Sequence, residues 1–552
     1  MWFACIPLLS RLEASPKTNS IEALKKLFDE KSWQRVVEEA QVVPDPGADI
    51  AYYFGVSLAQ LGRWDQARTV LARGQQLHPD DQRFPVELGG VAFKQRQYTE
   101  AAKWLRRGLR LNPTDVYATD FLATVYFLQG NLEAALKYWN RIAKPQIENV
   151  KLQPGLHMDP VLLDRAFTFA PGGTLFLSEL LTTRDRVRGL GVFPVSNFRL
   201  DARDDGRFDA IFDAQERNGF GNTKMEALSS TFRGVGFQTV HLEYFNLGRS
   251  AVNITSLLRW DPQKRRLTSS LSRPLGRDAR RRYWVGLDLR DESWEIPSYQ
   301  KPVPIPGQFG LRRNAAGVGV SSFRNAGWSW SASGEISHRD YLDVSKSPGV
   351  SPDVLLKGFQ LKQIVQLDRE LWRVPDRRFE SSVSISSETA TIRAVQPHTF
   401  QKLQASLAAR WFPQMTGDDY AIQQQIRTGK IFGQAPFDEL FQLGLERDND
   451  LWMRAHIGTR NGRKGSAPLG RQYFLSNWEI DKKLYENGIL SLKLSPFLDL
   501  GRMDSSLGLG SGKWLLDTGV QAKLHIFGVG FAFIYGKDLR TGRNAFYVNA
   551  SR

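Results

Sequence analysis

The 552-residue chain reads as a multidomain protein: an all-α repeat solenoid, then a small α+β module, then a long antiparallel β domain. Three observations predict this. One residue pattern recurs every 34 residues through the first quarter. Mixed strand and helix signals fill residues 158–217. From residue 223 to the end, helix periodicity gives way to apolar–polar alternation with period two. The length itself calls for about two to four domains.

The repeat region spans residues 21–146. Pro79 and Pro113 are 34 apart, and Ala67, Ala101 and Ala135 form a second series at that spacing. Gly55, Gly89 and Ala123 form a third, and Leu58, Ala92 and Tyr126 a fourth. Trp64, Tyr98 and Leu132 stand where the second helix of each hairpin is expected to begin. This is the period of the tetratricopeptide helical hairpin. Small residues sit where two helices cross closely, and proline ends each unit because it cannot continue a helix. An earlier pair around Leu24, Leu27, Trp33 and Val37 reads as a degenerate first repeat. These residues are scaffold. The concave surface of such a stack suits protein segments.

The module at 158–217 is expected to run strand, helix, strand, strand. Val161–Phe169 reads as the first strand and Thr174–Leu190 as helical, with Leu175, Leu177, Leu180 and Leu181 on one side. Val195–Leu200 and Phe208–Ala214 read as strands joined by the turn Asp204-Asp205-Gly206.

In the last 330 residues the alternation is persistent. Val285, Leu287 and Leu289 alternate with Gly286, Asp288 and Arg290. The same holds at Leu490–Ser495, Val520–Ile526 and Ser382–Ser386. Two architectures satisfy it. A soluble sandwich hides the apolar face, whereas a membrane barrel turns it to lipid and closes so that no edge is unpaired. The length suits about 16 strands. Trp284, Trp294, Trp328, Trp330 and Tyr535 lie near strand ends, where an aromatic girdle would place them.

Composition excludes some chemistry. The single cysteine, Cys5, excludes an intramolecular disulfide framework and a cysteine-based zinc site. The formal charge of +16 favours anionic partners without choosing among them. No stretch reaches the roughly 18 apolar residues of a membrane helix. The opening Met1–Ser10 reads as the remnant of a signal peptide or as an ordinary terminus. Gly508–Lys513 lacks the first glycine and the hydroxyl residue of a phosphate loop, so it reads as a loop. Arg233-Gly-Val-Gly236 reads as a turn or strand. Arg277–Arg282 reads as a solvated loop or a contact to lipid headgroups. The histidines are dispersed and no nucleophile elbow occurs. No catalytic residue, cofactor, metal or nucleic-acid partner is expected.

Two resemblances follow from quoted motifs. Leu190-Gly-Val-Phe193, Val195, Leu200, Asp205-Gly206, Asp209 and Glu216 resemble a POTRA (polypeptide-transport-associated) module. That resemblance implies an exposed sheet edge that guides client chains by strand addition. Pro436–Gly444, Leu451-Trp-Met-Arg454, Ala467-Pro468-Leu469-Gly470 and Asn477-Trp-Glu479 resemble the BamA/TamA-type barrel family of outer-membrane assembly factors, translocation pores and surface antigens. In that family a loop folds into the lumen and its arginine meets an aspartate on the wall. Arg454 matches the arginine, and Phe497-Leu-Asp499-Leu-Gly501 the aspartate strand. Gly519-Val-Gln, Gly528-Val-Gly-Phe and Tyr535-Gly-Lys resemble the closing strands. Ala455 and His456 depart from the usual glycine–aromatic pair after the arginine, and the chain ends Asn549-Ala-Ser-Arg552 where an aromatic is usual.

The resemblance implies an outer-membrane barrel of a Gram-negative bacterium, with the repeats and module in the periplasm. It also implies lipid around the barrel and a polypeptide client or periplasmic protein as partner. The function it implies is to insert, assemble or translocate polypeptides without a covalent step. An Arg454–Asp499 pair would pin the loop, and breaking it when buried costs on the order of 3–5 kcal/mol. Two alternatives stay open. A polysaccharide exporter expects no POTRA module and an unplugged pore, and a soluble scaffold with a β-sandwich expects apolar faces turned inward.

Overall fold

The computed structural model describes residues 16–551, apart from 45, 154, 298–306, 326, 347, 395, 488–489 and 527–528. Most of the opening segment, with Cys5, and Gly528 of the closing motif lie outside the described residues. The chain divides into two compact units, Met1–Lys144 and Pro145–Arg552.

The first unit is a run of helical hairpins. It comprises α1 (Pro16–Asp29), α2 (Trp33–Gln41), α3 (Ala48–Gln60), α4 (Trp64–Leu77), α5 (Arg83–Lys94), α6 (Tyr98–Leu111), α7 (Val116–Leu128) and α8 (Leu132–Trp139). The 34-residue series fall where helices touch. Ala67, Ala101 and Ala135 are fully buried. A Cβ at Gly55 would lie 2.5 Å from Leu71, and one at Gly89 would lie 2.8 Å from Leu105, so the same close crossing recurs one period on. Leu24, Leu27 and Val37 are buried, so the degenerate first hairpin is built like the others. Asp115 caps α7, accepting from the Ala118 amide at 2.9 Å.

The second unit opens with a three-stranded sheet: β1 (Ile147–Leu152), β2 (Val195–Ala202) and β3 (Phe208–Gln215), in the order β1-β3-β2. β1 pairs parallel with β3, and β2 antiparallel with it. Two helices, α9 (Pro160–Ala166) and α10 (Leu177–Leu190), connect β1 to β2. This corrects the expectation at Val161–Phe169: that stretch begins as helix, not strand. Asp159 accepts from the Val161 amide at 3.0 Å, and Pro160 opens the first turn. Leu162, Leu163 and Ala166 then bury one helical face. The module's first strand lies upstream, at Ile147.

The rest is a meander whose strand order closes into a barrel. Its wall begins with β4 (Thr239–Leu247), β5 (Val252–Arg259), β6 (Lys264–Leu275), β7 (Asp278–Ile296) and β8 (Gly307–Asn325). It continues through β9 (Trp328–Leu342), β10 (Gly358–Val374), β11 (Phe379–Arg393), β12 (Pro397–Trp411) and β13 (Tyr420–Gly433). Four two-residue strands, β14 (Phe441–Gln442), β15 (Thr459–Arg460), β16 (Arg463–Lys464) and β17 (Leu469–Gly470), belong to a long inward loop. β18 (Gln472–Glu486), β19 (Leu490–Met503), β20 (Leu515–Ile526), β21 (Val529–Asp538) and β22 (Asn544–Ser551) complete the wall. Fifteen long strands therefore form the wall among the described residues, close to the sixteen or so expected. Before β4 stands a helix, α11 (Lys224–Phe232). Its presence corrects the expectation that helix periodicity ends by residue 223.

The faces of the wall settle its orientation. Leu258, Leu267, Leu289, Val285, Val318, Ile336, Leu361 and Val365 are exposed. Arg259, Glu292, Arg313, Arg339, Gln360 and Lys362, on the opposite face of the same strands, are buried. A soluble sandwich would reverse this, so that alternative fails. Apolar groups outside and satisfied charges inside are what a barrel in lipid requires. Trp328, Trp330 and Tyr535 face outward as a girdle requires. Trp294 does not: it is buried edge-on against Phe437 of the loop, with ring centroids 4.9 Å apart. Trp284 sits on the inward face, paired across the ladder with Gly319.

The α+β module is tied to the wall. Arg282 donates to the Gly189 carbonyl at 2.7 Å and also to that of Leu190. Asn253 reaches the Leu190 carbonyl at 3.1 Å, and Asn246 donates to Glu216 at 2.6 Å. Arg282 is thus a docking residue, not the solvated or headgroup contact expected of Arg277–Arg282.

Candidate functional site: an ion-paired loop inside the barrel

β13 and β18 pair with each other directly, from Tyr420↔Lys482 to Lys430↔Gln472. The chain between them, residues 434–471, therefore leaves and re-enters at adjacent strands and folds into the lumen. Its apolar residues Phe437, Leu440, Phe441, Leu443, Leu451, Met453 and Leu469 form a buried core with Trp294, Phe309, Phe400, Tyr473 and Met503 of the wall. A short ladder, Phe441↔Gly470 and Gln442↔Leu469, draws the two ends of the loop together.

Arg454 of the loop and Asp499 of β19 are brought together. Asp499 is fully buried and Arg454 is 4% exposed. The guanidinium donates from Nε at 2.9 Å and from Nη2 at 2.7 Å, and the Arg454 amide adds a third bond at 3.0 Å. Its Nη1 pairs with Glu479, and its plane lies 3.8 Å from the Phe497 ring centroid. Asn477 donates to the same carboxylate at 2.7 Å. The motif residues serve this approach. A Cβ at Gly501 would lie 2.6 Å from Met453 Sδ. Ala467, Leu469 and Phe497 are buried, and the Pro468 carbonyl accepts from the Leu443 amide at 2.9 Å. Gly536 on β21, the glycine of the Tyr535-Gly-Lys motif, also serves it: a Cβ there would lie 2.5 Å from the Arg454 carbonyl.

Two further ion hubs were not foreseen. Glu439 accepts from Lys362 at 2.7 Å and from Gln360 at 3.1 Å. Its neighbour Asp438 pairs with the fully buried Arg339 at 3.0 Å. On another sector Asp448 binds Arg259 at 2.9 Å, Arg266, and Lys464 at 3.2 Å. Lys464 in turn reaches Glu292 at 2.6 Å. Burial alone would raise both loop carboxylates. Lys362 and its neighbours hold Glu439 well below the usual range, and Lys464 with Arg266 and Arg259 does the same for Asp448. The loop is thus fastened to β8–β10, to β5–β7 and to β18–β21.

The residues that depart from the family pattern are also engaged. The Ala455 amide donates to Asp517 at 2.7 Å. His456 places Nδ1 3.0 Å from Asp517 and Nε2 3.8 Å from Asp538. Burial works against the charged imidazole, but the hydrogen bond and charge of Asp517 outweigh it and raise the pKa above its ordinary value. His456, Asp517 and Asp538 bring possible ligand atoms within 4.8 Å of one another. The carboxylates approach opposite ring nitrogens, which fits an imidazolium held between two acids. A metal would take one nitrogen only.

Between the loop and the module lies a cavity of about 1340 Å³. Asp185 and Arg188 of α10 line one side, and Arg427, Asp448, Arg454 and Glu479 another.

Residues 52–116 match a family model described as tetratricopeptide repeat. No curated protein matches by sequence. Among solved structures the chain is similar to CdiB from Escherichia coli, at 13% identity and TM-score 0.47, over 74% of this chain and 75% of that one. It is similar to BamA from Haemophilus ducreyi lacking POTRA domains 1–3, at 10% identity and TM-score 0.40, over 74% and 84% of the two chains. A crystal structure of MamA overlaps 23% of this chain and 75% of its own, at 19% identity and TM-score 0.22. The barrel assignment stands on the strand ladders and on the chemistry of the two faces.

Proposed function

We propose that this protein is an outer-membrane barrel of the BamA/TamA type that inserts, assembles or translocates polypeptides. The observation that carries the proposal is the inward loop, fastened through Arg454 and Asp499 inside a wall whose outer face is apolar. The repeat unit and the α+β module belong, on this reading, to the periplasmic side. There the repeats dock a protein partner, and β2, an edge strand of the order β1-β3-β2, is available to pair with an extended client. An exporter of polysaccharide is expected to have an unplugged lumen, and the ion-paired loop weighs against it.

The test is cell fractionation followed by electrophoresis with and without heating. The expected outcome is a protein in the outer-membrane fraction that migrates as a compact band until heated. Recovery in a soluble fraction with no heat-dependent shift would refute the proposal.

A further inference from the structure

α11 has its polarity the wrong way round for a helix in water. Met225, Leu228 and Phe232 follow helical spacing, Val235 follows just after the helix, and the four are 71%, 55%, 50% and 44% exposed. The polar side turns to the protein. Ser230 is buried, and Arg233 donates to the Ser230 carbonyl at 2.6 Å and pairs with Glu243 of β4 at 2.7 Å. The helix is well started: Thr223 accepts from the Glu226 amide at 3.1 Å, and Glu226 accepts from the Asn222 amide at 2.9 Å.

The placement of α11 says what meets the apolar side. Gly219 and Phe245 bridge antiparallel just before it. Gly234, just after it, packs on Thr239. The helix therefore runs beside β4, from its end toward its start. Phe220 packs edge-on against Tyr244, with ring centroids 5.0 Å apart. Tyr244 shares a face of β4 with the exposed Leu242. Across the ladders that face continues through Ile254 and Leu271 to Val285. The stripe on α11 is thus an extension of the apolar wall. Among the described residues, none of α11 lines the lumenal cavity.

We infer that α11 is a membrane-embedded helix whose Met225–Leu228–Phe232 face, with Val235 just beyond it, meets lipid acyl chains beside the first barrel strand. This rests on the membrane-barrel reading. It adds that the lipid-facing perimeter includes a helix. Arg233 holds the helix against β4 through a largely buried ion pair, while its apolar face is solvated by lipid.

The test uses the full chain carrying Cys5→Ser, with single cysteines introduced by Met225→Cys, Leu228→Cys, Phe232→Cys or Val235→Cys. Each is spin-labelled and reconstituted in vesicles of phosphatidylethanolamine and phosphatidylglycerol. Leu287→Cys reports the wall and Asp204→Cys reports water. Collision with oxygen should exceed collision with a water-soluble nickel chelate at all four positions, as at Leu287→Cys. Nickel access equal to that at Asp204→Cys would overturn the inference, placing α11 in water. Low access to both reagents would overturn it too, because a protein surface would then cover the face. If Leu287→Cys is itself open to nickel, the barrel reading falls along with it. All four positions are exposed, so the substitutions leave packing intact.

Discussion

Arg454→Ala leaves Asp499 fully buried with its guanidinium partner gone. Asn477 and the backbone amide of residue 454 remain as donors, but the bonds from Nε and Nη2 and the stacking on Phe497 disappear. Removing one member of a buried pair costs about 3–5 kcal/mol. At about 2–4 °C per kcal/mol for a large domain, that lowers the midpoint of heat modifiability by roughly 6–20 °C. The converse variant, Asp499→Leu, strands Arg454 beside Glu479 and should lose a similar amount. The double variant Arg454→Met/Asp499→Leu removes both charges and should lose less than the sum of the singles, because no uncompensated charge stays behind. The assay is the heating midpoint of each purified variant in detergent, with proteolysis across residues 447–463 as a local readout. Single variants that match the parent in both measurements would refute the claim that this pair fastens the loop.

Three other outcomes follow from the same geometry. Glu439→Gln removes the charge that Lys362 and Arg339 share, and should release the loop from β8–β10, seen as protease cleavage near residue 440 with the Arg454 side still protected. Gly536→Val places a Cβ where the Arg454 carbonyl lies 2.5 Å away, so it should lower the heating midpoint about as much as an overpacked core, roughly 1–3 kcal/mol. His456 has a raised pKa in the folded protein. Its contribution is therefore full below the unfolded value of about 6.5 and is lost as pH rises through the folded value. Loop protection against protease should fall between acidic and alkaline buffer, and His456→Gln should flatten that dependence.

The sequence made some of this legible and hid the rest for physical reasons. The repeats were legible because a 34-residue period puts small residues at every helix crossing, as at Gly55 and Gly89. Arg454 and Asp499 were legible through the family motifs they stand in, and the structure gives one of those motif residues a reason, with Gly501 under Met453. Val161–Phe169 misled because a run of apolar residues fits a strand or a short helix, and only the Asp159-Pro160 start decides between them. α11 was hidden by its brevity and by an apolar side that faces away from the protein. The hubs at Glu439 and Asp448 were hidden by distance: Lys362 is 77 residues from Glu439, and Arg259 is 189 from Asp448. Period-two alternation tells which face a charge takes. It does not tell which charge in the lumen it will meet.

The number of hubs bears on how such a barrel could work. Each hub buries charges on the loop and on the wall, and breaking one by removal of a partner costs about 3–5 kcal/mol. Withdrawal of the whole loop would break all three and would also uncover the apolar core that Phe437, Phe441, Leu443 and Met453 share with the wall. Loop ejection is therefore an expensive way to open the lumen. Under the proposed function, a client would be handled with the loop in place. The surfaces then open to it are the cavity of about 1340 Å³ between α10 and the loop, the β2 edge, and the lipid-facing side of the wall. His456 is the exception among the fastenings, since a change of one proton weakens it. That makes the contact with β20 and β21 the one that can loosen while Arg454–Asp499 and the two other hubs still hold the loop.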